Sequence, residues 1–439
     1  MKNILSLAAL ACWAGMAMAQ TNAVYPSRTE VITPLRKTSF NTNNNNTCPE
    51  RKQGGNARWV NGYLAFDGSM DGNRQVDPQI AVGGGYVLHG TNSGLVIYNK
   101  KGEFVQGVSQ KCFNDGIDPK MYYDLHNKMF VFNLWWYYDK EKTKPVNVSV
   151  SETSDPTGAW NTYPVPAPNG VDGGGIGYSR KWIGYSFPGG EERTFVLCAA
   201  DAKAGKPTTV YHFKGSLGHP VFGQDKTDDL YFFEIERGDF VIRKITEDAS
   251  GKPYSVLVSR KQHNLLYSNF PPQSKQKGTE QKVSSGDRNP KNLVLQGGSI
   301  WFSQAVNCDG RSAVQWHQIN AKNGAIQQTG LIKSDTSNYI QTTIAVNKKN
   351  DVVIGFQEAG ENMFISPRFA YRKAKDKPGT VREIIRLGEG RGAADGVAWG
   401  DYSGSMIDGD NRKDLWTIQS IANEKGRGET VIAKVPEPK

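Results

Sequence analysis

The feature that most limits what this chain can become is a recurring strand unit with a recurring start. One unit reads Asp77-Pro78-Gln79-Ile80-Ala81-Val82, then a Gly-rich turn, then a strand ending near His89. The next reads Asp118-Pro119-Lys120-Met121-Tyr122-Tyr123, turns at His126-Asn127 and runs on to Trp135. Further units start at Asp172, near Asp228, at Asn289-Pro290, before Ile344-Ala345-Val346, and at Asp401-Tyr402-Ser403. The starts are spaced by about 40 to 60 residues, a period that suits propeller blades. No stretch carries the apolar spacing and caps of a helix of three turns or more. Short β-branched and aromatic runs stand instead between Gly, Asn, Asp and Pro.

A single twisted four-stranded sheet cannot cover both of its faces. Sheets packed face to face around an axis cover all of them and leave only short edges. The expectation is an all-β fold, a seven-bladed β-propeller, with six or eight blades as variants of the count. Two successive β-sandwiches are the alternative, but they do not account for the recurring Asp-Pro. Residues 59–66 precede the first unit, and Thr430-Val431-Ile432-Ala433-Lys434-Val435 follow the last. Pairing these two ends in one blade would close the ring.

The first twenty residues read as a secretory signal peptide: Lys2, an apolar run from Ile4 to Met18, and Ala17-Met18-Ala19 before Gln20. Residues 21–56, with Asn43-Asn44-Asn45-Asn46, read as a flexible leader, and 57–439 as one domain. No other stretch is long and apolar enough to span a bilayer as a helix. Of five Cys, Cys12 leaves with the signal. Cys48, Cys112, Cys198 and Cys308 then suggest two disulfides, with Cys48–Cys112 and Cys198–Cys308 the preferred pairing. The net charge of +10 is scattered, with clusters at Lys140–Lys144, Arg260–Lys282 and Arg368–Lys377. It fits solvated loops, or attraction to an anionic polymer. Export and the lack of any nucleic-acid motif exclude nucleic acid as the expected partner.

These residues resemble a family of secreted bacterial β-propellers, mostly uncharacterised and distantly sialidase-like. The resemblance rests on Asp77-Pro78-Gln79-Ile80-Ala81-Val82, on Asp118-Pro119 with Tyr123-Asp124, and on Trp399-Gly400-Asp401-Tyr402-Ser403-Gly404 followed by Leu415-Trp416. It covers roughly residues 60–435 and implies architecture, with no agreed catalytic set. Thr153-Ser154-Asp155-Pro156-Thr157-Gly158-Ala159-Trp160 is similar to the Asp box of sialidase-like propellers, a turn that is structural there. Its Gly is displaced by one position.

Four patterns could carry chemistry. Asp77, Asp118, Asp172 and Asp401, with Tyr402, start blades and would crowd one mouth of the ring. There they would bind a ligand or a cation, or each Asp would simply cap its own turn. Asp408, Asp410 and Asp414 alternate like the start of a calcium loop, although the EF-hand pattern fails and a hairpin turn explains them equally well. His89 or His126, Tyr122 or Tyr123, and Arg180 with Lys181 could serve a polysaccharide lyase as acid, base and cation. Trp135-Trp136-Tyr137-Tyr138 could stack on sugar rings or pack between blades.

The expected function is binding of an extracellular glycan or protein at the axial funnel, by a monomer, with no cofactor required and Ca2+ as a candidate cation for these acids. The alternative is an enzyme, a polysaccharide lyase or glycoside hydrolase acting on a uronate-containing polysaccharide. A structural surface protein is the third reading. Fold alone does not decide among them.

Overall fold

The computed structural model describes residues 23–37, 54–69, 72, 75–135, 144–167, 171–290, 292–396, 398–401 and 403–437. The segment expected to be a signal peptide, Cys48, Trp136-Tyr137-Tyr138 and Tyr402 lie outside the described residues. Among those described, the helices are the five-residue Ala199–Lys203 and the four-residue 3-10 turn Gln110–Phe113. Everything else regular is strand.

The strands form antiparallel units that follow the chain. The first unit is Gln79–Gly83, Tyr86–Thr91, Gly94–Asn99 and Phe104–Ser109, in that order. Its first turn, Gly84-Gly85, has positive φ at both positions (56° and 87°), as a tight primed hairpin requires. The second unit runs from Ile117–Asp124 to Trp160–Val165, and the third from Gly175–Tyr178 to Thr208–Lys214. The fourth starts at His219–Pro220 and ends at Pro253–Gln262; the fifth spans Leu293–Gln296 to Ile326–Ile332. The sixth spans Asn338–Val346 to Ile384–Arg386, and the last starts at Gly404–Ile407. Inner strands of successive units lie side by side, and that of the last unit lies beside that of the first. The arrangement is that of a β-propeller.

The number of separate sheets differs from the expected seven blades. Five sheets of four or five strands stand alone: two of five and three of four. The third and fifth units are fused in one ten-stranded sheet. The cause is the two-residue strand Phe222–Gly223, which pairs in parallel with Tyr178 on one side and with Val294 and Leu295 on the other.

The last unit takes its outer strands from the other end of the chain. Val431, Ile432, Ala433 and Lys434 pair with Asp67, Phe66, Ala65 and Leu64, and Gly55–Val60 adds outside them. Phe66 is fully buried, with its ring 5.2 Å from Tyr98 of the first unit and 6.4 Å from Trp416 of the last. The contact therefore joins neighbouring units as well as chain ends.

Part of the expected leader is structured. Arg28–Ile32 pairs with Thr208–Lys214, Leu35–Lys37 pairs with Trp160–Val165, and Val24 bridges Ser255. The physical reason is that the outer strand of a blade presents unpaired N–H and C=O groups, which a passing extended segment can satisfy. Charges hold it in register: Arg28 Nε to Glu192 at 2.8 Å, and Arg36 to both oxygens of Glu152 at 2.5 and 2.9 Å.

The expected Cys198–Cys308 bridge is also corrected: both are free thiols. Cys198 ends Glu192–Cys198 in the third unit, and Cys308 ends Ser299–Cys308 in the fifth, where its Sγ lies 3.6 Å from Asp309. An even count of Cys does not place their side chains together.

Candidate functional site

The blade starts converge at one mouth of the ring. Asp77 is 2% exposed, and its two oxygens serve two neighbours. Oδ1 accepts the backbone N–H of Asp401 at 2.7 Å, and Oδ2 accepts from Asn92 Nδ2 at 2.8 Å. Asn92 Oδ1 in turn accepts the N–H of Asp118 at 2.7 Å. One belt thus links the starts of the last, first and second units. Gly400 lets the last start approach, because a Cβ there would stand 2.3 Å from the Val76 carbonyl oxygen. Asp77 caps a neighbouring blade instead of its own turn. Asp172 does cap its own, accepting from Gly173 N–H at 2.6 Å.

The electrostatics follow from this crowding. Burial raises the Asp77 carboxyl, against the bonds from Asp401 and Asn92. Asp118 is pushed up to about 7, first by burial and then by Asp77; Lys120 opposes the rise, and Asp172 and Asp401 add to it. Its own carboxyl makes no hydrogen bond among the described residues. A folded-state value above the ordinary 3.8 fixes the sign of the pH effect. The contribution to stability is complete below the ordinary value and is lost as pH rises through about 7.

The residues considered for a lyase do not share a pocket. His89 is fully buried, with Nδ1 3.3 Å from Gln79 O and Nε2 3.0 Å from Thr430 Oγ1. Tyr122 is fully buried, stacked on Tyr178 at 4.7 Å, and burial raises its hydroxyl well above the ordinary value. The Tyr123 ring fills the space left by Gly83 and Gly409, where a Cβ would come within 2.5 and 2.3 Å of it. His126 lies beyond the far end of Ile117–Asp124, at the mouth opposite the belt, and its Nε2 meets Gly223 O at 2.8 Å. Arg180 is bidentate to Asp228 at 2.7 Å, and Lys181 binds Glu247 at 2.5 Å.

The three acids of the calcium-like loop have structural partners. Asp408 accepts from Lys100 Nζ at 2.6 Å and from Trp416 Nε1 at 3.2 Å. Asp410 binds Lys100 at 2.5 Å and the N–H groups of Gly84 and Gly85 at 2.7 and 2.8 Å, clamping the last unit to the first. Asp414 takes Lys434 at 2.9 Å and Glu437 N–H at 3.0 Å. Among the described residues no group of three or more His, Cys, Asp or Glu is arranged to hold a metal ion.

Sequence reasoning missed Asn92, Lys120 and Gln341. Lys120 is 4% exposed although charged, and its position two residues after Asp118 was the available signal. Gln341 is buried, with φ 51°, and donates from Nε2 to Gly400 O at 2.5 Å. It steadies the turn that delivers Asp401.

No protein-family model matches the chain, and no curated protein matches it. Solved structures that match include a protein of unknown function from Dyadobacter fermentans DSM 18053, 10% identical, with a TM-score of 0.40 over 95% of this chain and 98% of that one. The Dos1 propeller is 8% identical, with a TM-score of 0.41 over 87% of this chain and 96% of its own. An α-L-arabinofuranosidase from Clostridium thermocellum ATCC 27405 is 12% identical, with a TM-score of 0.33 over 73% of this chain and 96% of its own. These likenesses concern fold alone.

Proposed function

We propose that this protein is an exported propeller that binds an extracellular ligand, a glycan ahead of a protein, at the mouth where Asp77, Asp118, Asp172 and Asp401 meet. The observation that carries this reading is the Asp118 carboxyl, which is largely buried at that mouth and makes no hydrogen bond among the described residues. Sugar hydroxyls are donors that suit such an acceptor. A crowd of carboxylates repels a uronate, so a neutral or cationic glycan fits this mouth better than an anionic one.

Glycoside hydrolysis is a second reading, favoured by the same Asp118. A carboxyl raised to about 7 by burial is suited to a general acid. Nothing comparable favours a lyase, whose acid, base and cation would come from both mouths.

On this reading residues 1–20 are a signal peptide, and Cys48 pairs with Cys112. The two halves of the ten-stranded sheet count as separate blades, which with the five free-standing sheets makes a monomeric ring of seven. The intact mass of the exported, unreduced chain checks the first two points.

The functional test is a neutral-oligosaccharide array with an assay for new reducing ends, run on wild type and Asp118→Asn. Affinity without product, weakened about tenfold or more by the substitution while Tm is kept, supports binding. Product that disappears with Asp118→Asn moves the protein to hydrolysis. Unchanged affinity in the variant removes this mouth as the site.

A further inference from the structure

A second opening lies off the axis on the same face, between the fourth and fifth units. It encloses about 260 Å3 and is lined by Ile235, His263, Leu265, Ser268, Arg288 and Gln304. Through Ile235 it adjoins a cleft beside His219, the residue that starts the inner strand of the fourth unit. His263, Leu265 and Ser268, which follow Gln262 on the way to the fifth unit, form part of its wall.

Two of its polar atoms, Gln304 Oε1 and Arg288 Nε, are buried without a partner. Gln304 is 1% exposed and donates from Nε2 to Gln315 Oε1 at 2.9 Å, but its own Oε1 is buried without a partner. A buried acceptor left without a donor costs stability, and a ligand hydroxyl in this pocket would supply one. Arg288 donates from Nη1 to Ser268 O at 2.8 Å and lies 4.6 Å over the Phe270 ring. Its Nε is buried and unpartnered, and no carboxylate among the described residues pairs with it. His263 Nε2 meets the Gly324 carbonyl at 2.9 Å. A carbonyl only accepts, so Nε2 carries the proton and Nδ1 keeps a lone pair. Burial lowers this imidazole below its ordinary value.

The pocket therefore offers a planar cation, two acceptors and an apolar wall of Ile235 and Leu265. We propose that it binds a small hydroxy acid of the hexuronate class, with the carboxylate on Arg288, one hydroxyl donating to Gln304 Oε1, and a second towards His263. Guanidinium matches carboxylate geometry, and the apolar wall suits the C–H face of a sugar ring. The site is separate from the acidic mouth and does not depend on it. It takes either the free acid or the uronate end of a glycan chain.

The test is calorimetric titration of the mature chain with D-glucuronate, with D-glucose as the neutral control and a glucuronate-ended disaccharide as the chain-end probe. Glucuronate is expected to bind in the millimolar range, and glucose about tenfold or more weaker. Arg288→Gln should weaken glucuronate by about tenfold, with Arg288→Lys intermediate, because lysine keeps the charge and loses the fork. Gln304→Leu should weaken it in the same direction. Arg288 sits on a half-buried loop, so its variants test the proposal even if Gln304→Leu unfolds. Tighter binding of the disaccharide assigns the chain end, and equal or weaker binding assigns the free acid; both support the pocket. Equal affinity for glucose and glucuronate, no glucuronate binding, or unchanged binding in Arg288→Gln overturns it.

Discussion

Replacing Phe66 with Ala lowers the stability of this protein by about 3–5 kcal/mol. The ring is fully buried where the N-terminal strand joins the last unit, against Tyr98 and Trp416. Gly102 presses on it from the first unit, since a Cβ there would stand 2.7 Å from the ring. Losing the ring leaves a cavity at the seam that closes the propeller, and the β-strand backbone around it has little freedom to collapse. Trp59→Ala is the matched control. Trp59 lies in the adjoining strand but is 74% exposed, so its loss should change stability by no more than about 0.5 kcal/mol. Equilibrium unfolding in urea measures both. Similar small effects for the two would mean that the ends do not carry the closure.

The second large effect is expected at Arg368, which is 1% exposed in the sixth unit. Its guanidinium binds Glu358 at 2.8 Å, Glu389 at 3.0 and 3.1 Å, and the carbonyls of Gly388 and Pro367 at 2.7 and 3.1 Å. It ties the strand Met363–Arg372 to the chain that leads on to Trp399 and Asp401. Arg368→Ala strands the mostly buried Glu358 with only the Ser337 hydroxyl at 2.6 Å, and should cost about 3–5 kcal/mol. The desolvation of an unpaired charge is the dominant part of that figure. The double variant Arg368→Met, Glu358→Leu should therefore recover much of the loss, because apolar replacements of a buried pair are often neutral. Urea unfolding of the single and double variants decides. A double variant no better than the single would place the cost in lost packing.

The strand runs and the Asp-Pro starts were readable in the sequence because they are local: period-two alternation, turn residues, and a fixed φ at Pro78 and Pro119. The meeting of Asp77, Asp118 and Asp401 at one mouth followed once the units were taken as blades. The mode of that meeting did not, since nothing local tells Asp77 to cap Asp401 through 324 positions of chain. The edge strands at Arg28 and Leu35 escaped for the same reason, as their partners lie at His212 and Thr162. Tyr123 looked available for chemistry, but Gly83 in a strand of the first unit and Gly409 in a turn of the last make room for its ring and enclose it. The ten-stranded sheet depends on Phe222–Gly223, two residues too short to register as a periodic strand. The off-axis pocket is invisible in sequence because Gln304 reads there as one more residue of a long strand.

If the blade starts share one acidic mouth, the carboxyl carbon shift of Asp118, followed by NMR across pH, reports it. The expected midpoint is about 7, moving down in Asp77→Asn because a repelling charge is gone. A midpoint in the ordinary carboxylate range, unmoved by Asp77→Asn, would contradict it.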